Sequence, residues 1–350
     1  MNNKDKVCRS EYYNDNYFDD DSDNTILDDD VIDYEDHSDK NKQKILKRHP
    51  KKKKHILRKL LFKLLVFILL LIIIMLAVGY TLTLFIPNVS NVLIMATDAE
   101  GTRTDTIMVA SYNKNKDNLT FISIPRDTYV TVDDDIFTVM RSEFPQPGSK
   151  SMKINTIHHF AGEKYGVDFL KKEVSKLLNL RIDYYIKLDF DAFRYVIDAV
   201  GGIEFDVPRD MKYSDPYQDL YIDLKKGMQH LDGNQSEQLL RYRSGYANAD
   251  IGRIDVQLSF IKEFISQTLS KGTILTHPSV YLNAVFKYNY LETDAGIFDI
   301  ISYGMLIGGI NADNIDTCTL PGYPAMRQGQ SVYLPKVSEI VDTVSKITSN

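Results

Sequence analysis

Apolar positions along the chain change period several times, and each change predicts an element. Leu64–Ile86, LLVFILLLIIIMLAVGYTLTLFI, is 23 residues without a charge. As a helix it spans roughly 34 Å, enough to cross a bilayer core with slight tilt. Beyond it, NVLIMAT (91–97), TIMVASY (106–112) and LTFISIP (119–125) are short apolar runs rich in β-branched residues and bounded by Asp, Asn, Gly and Pro. Such runs predict buried strands. The period then lengthens. In SMKINTIHHFAGEKYG (151–166), Ile154, Ile157 and Ala161 share a helical face, and Gly162 and Gly166 are candidate stops. Leu170, Val174, Leu177 and Leu178 repeat the spacing in a second helix.

RIDYYIKLDF (181–190) alternates, with Ile182, Tyr184, Ile186, Leu188 and Phe190 on one face, the mark of a strand with one wetter side. DAFRYVIDAVGG (191–202) returns to helical spacing at Phe193, Val196, Ile197 and Val200, with Gly201 placed to end it. GIEFDVP (202–208) reads as strand, and Ile254, Leu258, Ile261 and Ile265 mark one long helix. Two or three more helical segments are expected between Ser279 and Gly309; the apolar run at 300–310 is too short to span a bilayer. Strands alternating with helices predict an α/β fold with helices on both faces of a sheet, preceded by one N-terminal transmembrane helix.

Charge divides the chain into three parts. Residues 1–63 are an acidic and then polybasic tail: Asp19 to Asp36 holds ten acidic residues and no basic one, and eleven Lys or Arg follow between Lys42 and Lys63. A segment with so little apolar surface is expected to be disordered. Residues 64–86 are the membrane helix, of the signal-anchor type because the apolar stretch exceeds that of a cleaved signal peptide. Basic residues crowd its N-terminal flank, and after Ile86 none follows until Arg103. That asymmetry places the N-terminus in the cytoplasm and 87–350 outside, as a single domain. Cys8 and Cys318 then lie on opposite sides of the membrane, so the outer domain relies on its core rather than on a disulfide.

The chain has a formal net charge of −6, and residues 87–350 alone are acidic. This makes the outer domain a poor general polyanion binder and argues against a nucleic-acid partner. The clustered arginines in RYRSGYANADIGRIDVQ (241–257) therefore point to a local site. Guanidinium groups match planar, doubly charged guests such as phosphates. Arg241 and Arg243 share a side if the chain is extended, and Arg253 and Gln257 share one if it is helical. Asp250 stands where a helix N-cap belongs, three residues before Arg253, and a helix N-terminus favours an anion. Two other groups sit at strand ends: Asp98 and Asp105 in TDAEGTRTDT, and Arg126 with Asp127 in SIPRDT. Turn chemistry or an Arg–Asp surface pair would also account for these. Walker-type loops, nucleophile elbows and paired metal-binding histidines are absent from the sequence.

The ordered set NVLIMATD, RTDTIMVASYN, LTFISIPRDTYV, KIN, IDYYIKLDFDAFRYVIDAVGGIEFDVP, LKKGMQHLDGNQ, RYR and GRIDVQ closely resembles the LytR-CpsA-Psr family. The likeness covers roughly 91–265 plus the membrane anchor, and LPG at 320–322 also fits. It implies a mixed central sheet and a membrane enzyme of a Gram-positive envelope. Such an enzyme transfers an anionic glycopolymer from a polyprenyl-pyrophosphate carrier to a peptidoglycan hydroxyl, the MurNAc 6-hydroxyl, and releases polyprenyl phosphate. Its cofactor is Mg2+, assigned by position to Asp98 and Asp105. The pyrophosphate-binding positions fall on Arg103, Arg126, Arg241, Arg243, Arg253 and Gln257. The catalytic group is Asp105, Arg126, Asp250 and Arg253, with Asp105 or Asp250 as base. Two departures stand out: the Asp98–Asp105 loop is short for the family, and Val256 occupies a position where arginine is common.

Two further readings use the same residues. A polyprenyl-pyrophosphate pyrophosphatase would replace the wall hydroxyl with water. A non-catalytic wall-polymer or lipid-binding anchor, with a regulatory (attenuator) role, would need no metal.

Overall fold

The computed structural model describes residues 53–84, 86–97, 104–143, 147–218, 220–244, 246, 249–270 and 291–349. Helix α1 (Lys53–Thr83) is followed by β1 (Val89–Thr97), β2 (Thr104–Asn113), β3 (Asn118–Ser123) and β4 (Tyr129–Thr131). Next come α2 (Asp134–Glu143), β5 (Ser151–Lys153), α3 (Thr156–Leu178), β6 (Tyr184–Leu188), α4 (Phe190–Ala199) and β7 (Ile203–Val207). Then follow β8 (Met211–Asp215), β9 (Leu220–Leu224), β10 (Gly227–Leu231), α5 (Gly233–Arg241) and α6 (Ala249–Ser270). The chain closes with β11 (Leu291–Thr293), α7 (Ile297–Ile307), β12 (Ile315–Thr319), β13 (Gly322–Arg327), β14 (Gln330–Pro335) and α8 (Val337–Thr348).

The chain divides at Leu60–Leu61, within α1, and the folded body lies in Leu61–Asn350. Within α1, Arg58–Val78 is long and apolar enough to cross a membrane. The helix starts at Lys53, so the end of the expected disordered tail, 53–63, is helical. Lys and Arg have good helix propensity and extend a helix that the apolar run nucleates. The remainder of the tail lies outside the described residues.

Six strands form the central sheet in the order β11-β6-β1-β2-β3-β12. β1 is antiparallel to β2 and parallel to β6, β3 is antiparallel to β2, and β12 is parallel to β3. The sheet is mixed. Alternation along β1 sends side chains to opposite faces. Leu93 and Met95 face a core completed by Ile154, Ile157, Leu170 and Val174, with Ile340 of α8. On the other face, Met108, Tyr112 and Phe121 pack with Ile254 and Leu258 of α6. Helices therefore cover both faces, as the strand–helix alternation predicts. A third cluster joins α4, β7, β9, α5 and α6 through Ile197, Phe205, Ile222, Leu239 and Phe260.

Several local readings need correction. Gly162 does break α3, with φ +67 and ψ 179, a region open to glycine. Gly166 is not a stop; it is buried inside α3 because His158 packs where its Cβ would be. The arm carrying Arg241 is not wholly extended. It begins as α5, started by a capping box between Asp232 and Gln235 and ended at Arg241. Asp250 is the second residue of α6 rather than the cap before it; acidic residues suit that first turn as well. Of the helices expected between Ser279 and Gly309, α7 is present, and 271–290 lie outside the described residues.

Candidate functional site

β1, β3, β6 and β12 all run in one direction, so their carboxyl ends share one rim of the sheet. In open α/β sheets that rim is where ligands bind. β2 enters from the same rim and carries Asp105 as its second residue. Arg126 follows the end of β3, in a turn fixed by Thr128 N donating to Pro125 O (2.9 Å) and Asn155 N donating to Arg126 O (3.2 Å). The two side chains meet: Arg126 Nη1 donates to Asp105 Oδ1 at 2.7 Å. Arg243 Nη2 reaches the other oxygen, Oδ2, at 3.4 Å. Asp127 takes no part in this pairing and is bridged by Lys153 at 2.8 Å. Of the two expectations for SIPRDT, the local Arg–Asp surface pair is therefore not what forms.

The arginine stretch is folded around buried aromatics. Tyr242, 7% exposed, has φ −65 and ψ 128, an extended residue between α5 and the following loop. Its ring meets Tyr246 edge-on, with centroids 5.9 Å apart. Burying Tyr242 leaves Arg241 and Arg243 to flank it, and both line the same pocket. Arg253, 3% exposed, enters that pocket from α6. Gln257, one turn on, donates Nε2 to Leu240 O at 3.3 Å and so ties α6 to the end of α5. Val256, where the resemblance expects a cation, is buried in the third cluster and turned from the site. Asp98 and Arg103 lie outside the described residues, as does the side chain of Asp250.

The pocket has a volume of about 1090 Å³. Its wall follows alternate residues of β1, from Ala96 beside the charged rim through Ile94 and Val92 to Ser90. Ile186 of β6, Met108 of β2, Phe260 of α6 and Ile300 of α7 complete an apolar lining. Its charged lining residues are Asp105, Asp189, Glu237, Arg241, Arg243 and Arg253. At the far end, Tyr184 stacks edge-on to Tyr303 at 5.9 Å. Burial, with Asp299 adding, pushes the Tyr184 hydroxyl up to about 12, so the phenol stays protonated beside that carboxylate. A cavity apolar along its length, with arginines braced by carboxylates at its mouth, suits an amphipathic anion with a long hydrocarbon tail.

Sequence reading missed Glu237 and Arg194, which join the site through α4 and α5. Glu237 is 6% exposed and accepts from Arg241 Nη1 at 2.9 Å and from Arg194 Nη1. The one sequence signal was the i,i+4 spacing of Glu237 and Arg241.

Magnesium takes one or two carboxylates together with phosphate oxygens and water. Asp105 is a donor of that kind at the mouth of the pocket. Among the described residues no group of three or more His, Cys, Asp or Glu offers an all-protein cage. A carboxylate so placed fits a magnesium ion that arrives with a phosphate ligand.

The chain is 30% identical over 228 residues to the polyisoprenyl-teichoic acid–peptidoglycan teichoic acid transferase TagV of Bacillus subtilis (strain 168), covering 65% of this chain and 54% of that protein. It thus spans about half the length of that relative. It is 27% identical over 265 residues to the transferase TagU of Oceanobacillus iheyensis, covering 74% of this chain and 75% of that one. Its fold is similar to the crystal structure of B. subtilis TagV, with a TM-score of 0.59 and 24% identity over 75% of this chain and 98% of that one. A structure of TagT bound to LI-WTA gives a TM-score of 0.57 at 20% identity, covering 75% of this chain and 92% of that one. The model of the LytR_cpsA_psr family matches residues 87–349, the whole of the domain that carries the arginine-rimmed pocket, and the chain belongs to that family.

Proposed function

We propose that this protein transfers an anionic glycopolymer from a polyprenyl-pyrophosphate carrier to peptidoglycan. One observation carries the reading: an apolar cavity of about 1090 Å³ opens onto a rim of arginines. The prenyl chain would lie along β1, and the diphosphate would meet Arg126, Arg241, Arg243 and Arg253. The relatives, named as teichoic acid transferases, support the same substrate classes.

In the reaction, a peptidoglycan hydroxyl oxygen attacks the phosphorus that bears the polymer's first sugar. The bond from that phosphorus to the bridging oxygen breaks, and polyprenyl phosphate leaves with the electron pair. A phosphodiester link remains on the wall. Negative charge grows on the bridging and equatorial oxygens, and guanidinium groups already held in place stabilise it without reorganising. The hydroxyl proton passes to a carboxylate, either Asp105 at the rim or Asp250. Bound magnesium, held by Asp105 with Asp98, would supply further neutralisation of the diphosphate. The polybasic flank of α1 supports a cytoplasmic N-terminus and an outer catalytic domain.

The test is to supply full-length protein in nanodiscs with a lipid-linked saccharide, peptidoglycan oligomers and magnesium, and to identify the products. A saccharide–phosphodiester–peptidoglycan conjugate with release of polyprenyl phosphate is the expected result. Free saccharide phosphate formed equally well without peptidoglycan would overturn transfer in favour of a pyrophosphatase. Binding without turnover would make the protein an anchor.

A further inference from the structure

Glu237 is an acid where an anion is to be bound. It lies on the pocket rim and is 6% exposed. A buried carboxylate there is costly unless it is paired, and it would repel a diphosphate. Its two oxygens are divided between two arginines. Oε1 accepts from Arg241 Nη1 at 2.9 Å, one helical turn on, and Oε2 accepts from Arg194 Nη1 of α4. Arg194 is itself braced by Asp191. The approach of the two helices depends on Gly233: a Cβ there would lie 2.5 Å from the carbonyl oxygen of Arg194. Gly233 N also donates to Asp198 Oδ1 at 2.7 Å, fixing the start of α5 on α4. Arg241 is held on a second side as well, its guanidinium 4.8 Å from the centre of the Phe190 ring.

We infer that Glu237, anchored by Arg194, is a positioning residue that aims Arg241 at the second phosphate and so sets the preference for a diphosphate over a monophosphate head group. This rests on the prenyl-diphosphate reading of the pocket. The reasoning is electrostatic as well as geometric. Arg241, Arg243, Arg253 and Arg126 repel one another at one rim. Asp105 holds two of them together, and Glu237 does the same for Arg241. A guanidinium that is fixed in advance loses less freedom on binding and offers paired donors at a set angle.

The test compares binding of farnesyl diphosphate and farnesyl monophosphate to the full-length protein in detergent micelles by calorimetry. Glu237→Gln keeps the size and an acceptor oxygen but removes the charge. The expected result is a fall of about tenfold in the diphosphate-to-monophosphate affinity ratio, the scale of one charge-assisted hydrogen bond. Arg194→Gln should lower the ratio similarly, and the double variant should fall no further, because the two act through one guanidinium. Glu237→Asp should recover part of the ratio. If Glu237 only adds unfavourable charge, Glu237→Gln tightens both ligands and leaves the ratio intact, which overturns the inference. If the pair only supports the fold, the melting temperature falls and both affinities drop together, which overturns it equally. Failure of the wild type to bind farnesyl diphosphate overturns the prenyl-diphosphate reading itself, and the inference with it.

Discussion

Arg126 Nη1 and Asp105 Oδ1 lie 2.7 Å apart, joining the end of β3 to the start of β2 at the mouth of the pocket. Arg243 approaches the second oxygen of the same carboxylate at 3.4 Å. One acid therefore holds two cations that would otherwise repel. Asp105→Ala should lower transfer by about 10²- to 10³-fold, the scale of losing preorganised transition-state donors. Excess magnesium should restore part of that rate if Asp105 is a metal ligand. Full wild-type activity in strong chelator would remove magnesium from the reaction.

Arg126 and Arg253 should not be replaceable even by lysine. A guanidinium offers two parallel donors to a phosphate, whereas an ammonium acts as a point charge. Arg126→Lys and Arg253→Lys are each expected to cost about 10²-fold or more in transfer rate. The double variant should be little worse, because groups acting as a unit are not additive. Arg126 is partly exposed at 23% of its side chain, so its replacement should leave thermal melting close to the wild type. Loss of activity that merely follows loss of folded protein would make these arginines structural.

Much of this site was legible because its residues sit beside strong local patterns. Asp105 and Arg126 border apolar strand runs, and Arg253 and Gln257 follow a helical period that the structure reproduces in α6. Arg241 was legible as a candidate site residue but not as the end of a helix. The polar stretch NQSEQLL shows little apolar period, and α5 is started by the Asp232–Gln235 capping box. Beyond the i,i+4 spacing of Glu237 and Arg241, nothing in the sequence marked Glu237 or Arg194 as part of the site. Each reads as an ordinary charged position on a helix surface. Only the contact of α4 with α5, close enough to require Gly233, brings them together and buries the acid. The cavity was equally hidden, since alternation in β1 marks a covered face without saying whether the covering helices fill it.

The N-terminal tail is expected on the cytoplasmic side and the domain from Pro87 onward outside. Protease added to intact, wall-stripped cells should digest the large domain and spare a fragment containing the tail and α1. The cationic flank of α1, rather than its length, carries this expectation. Replacing the Lys and Arg residues between Lys51 and Lys63 with Gln should weaken the orientation and yield a mixed population. Digestion of the tail with protection of the domain would reverse the assignment.

Away from the site, Glu173 on α3 has a side chain 2% exposed, with Lys176 Nζ at 3.8 Å. Burial raises its pKa above the usual carboxylate value, and Lys176 only partly counters this. In the window between the unfolded and the raised folded value, the native state holds more protons than the unfolded chain. Stability therefore declines as pH rises through that window, and the penalty is complete above the folded value. Glu173→Gln removes the ionisation while keeping an acceptor for the nearby Asp133 backbone, so the domain should melt higher at pH 7, by on the order of 2–4 °C. The gain should shrink as pH is lowered toward about 4, where glutamate is largely protonated in both states. Melts of the wild type and the variant at the two pH values provide the measurement. A variant that melts lower at pH 7 would mean that the Lys176 attraction outweighs burial. A gain that persists unchanged at low pH would place its origin in packing rather than in charge.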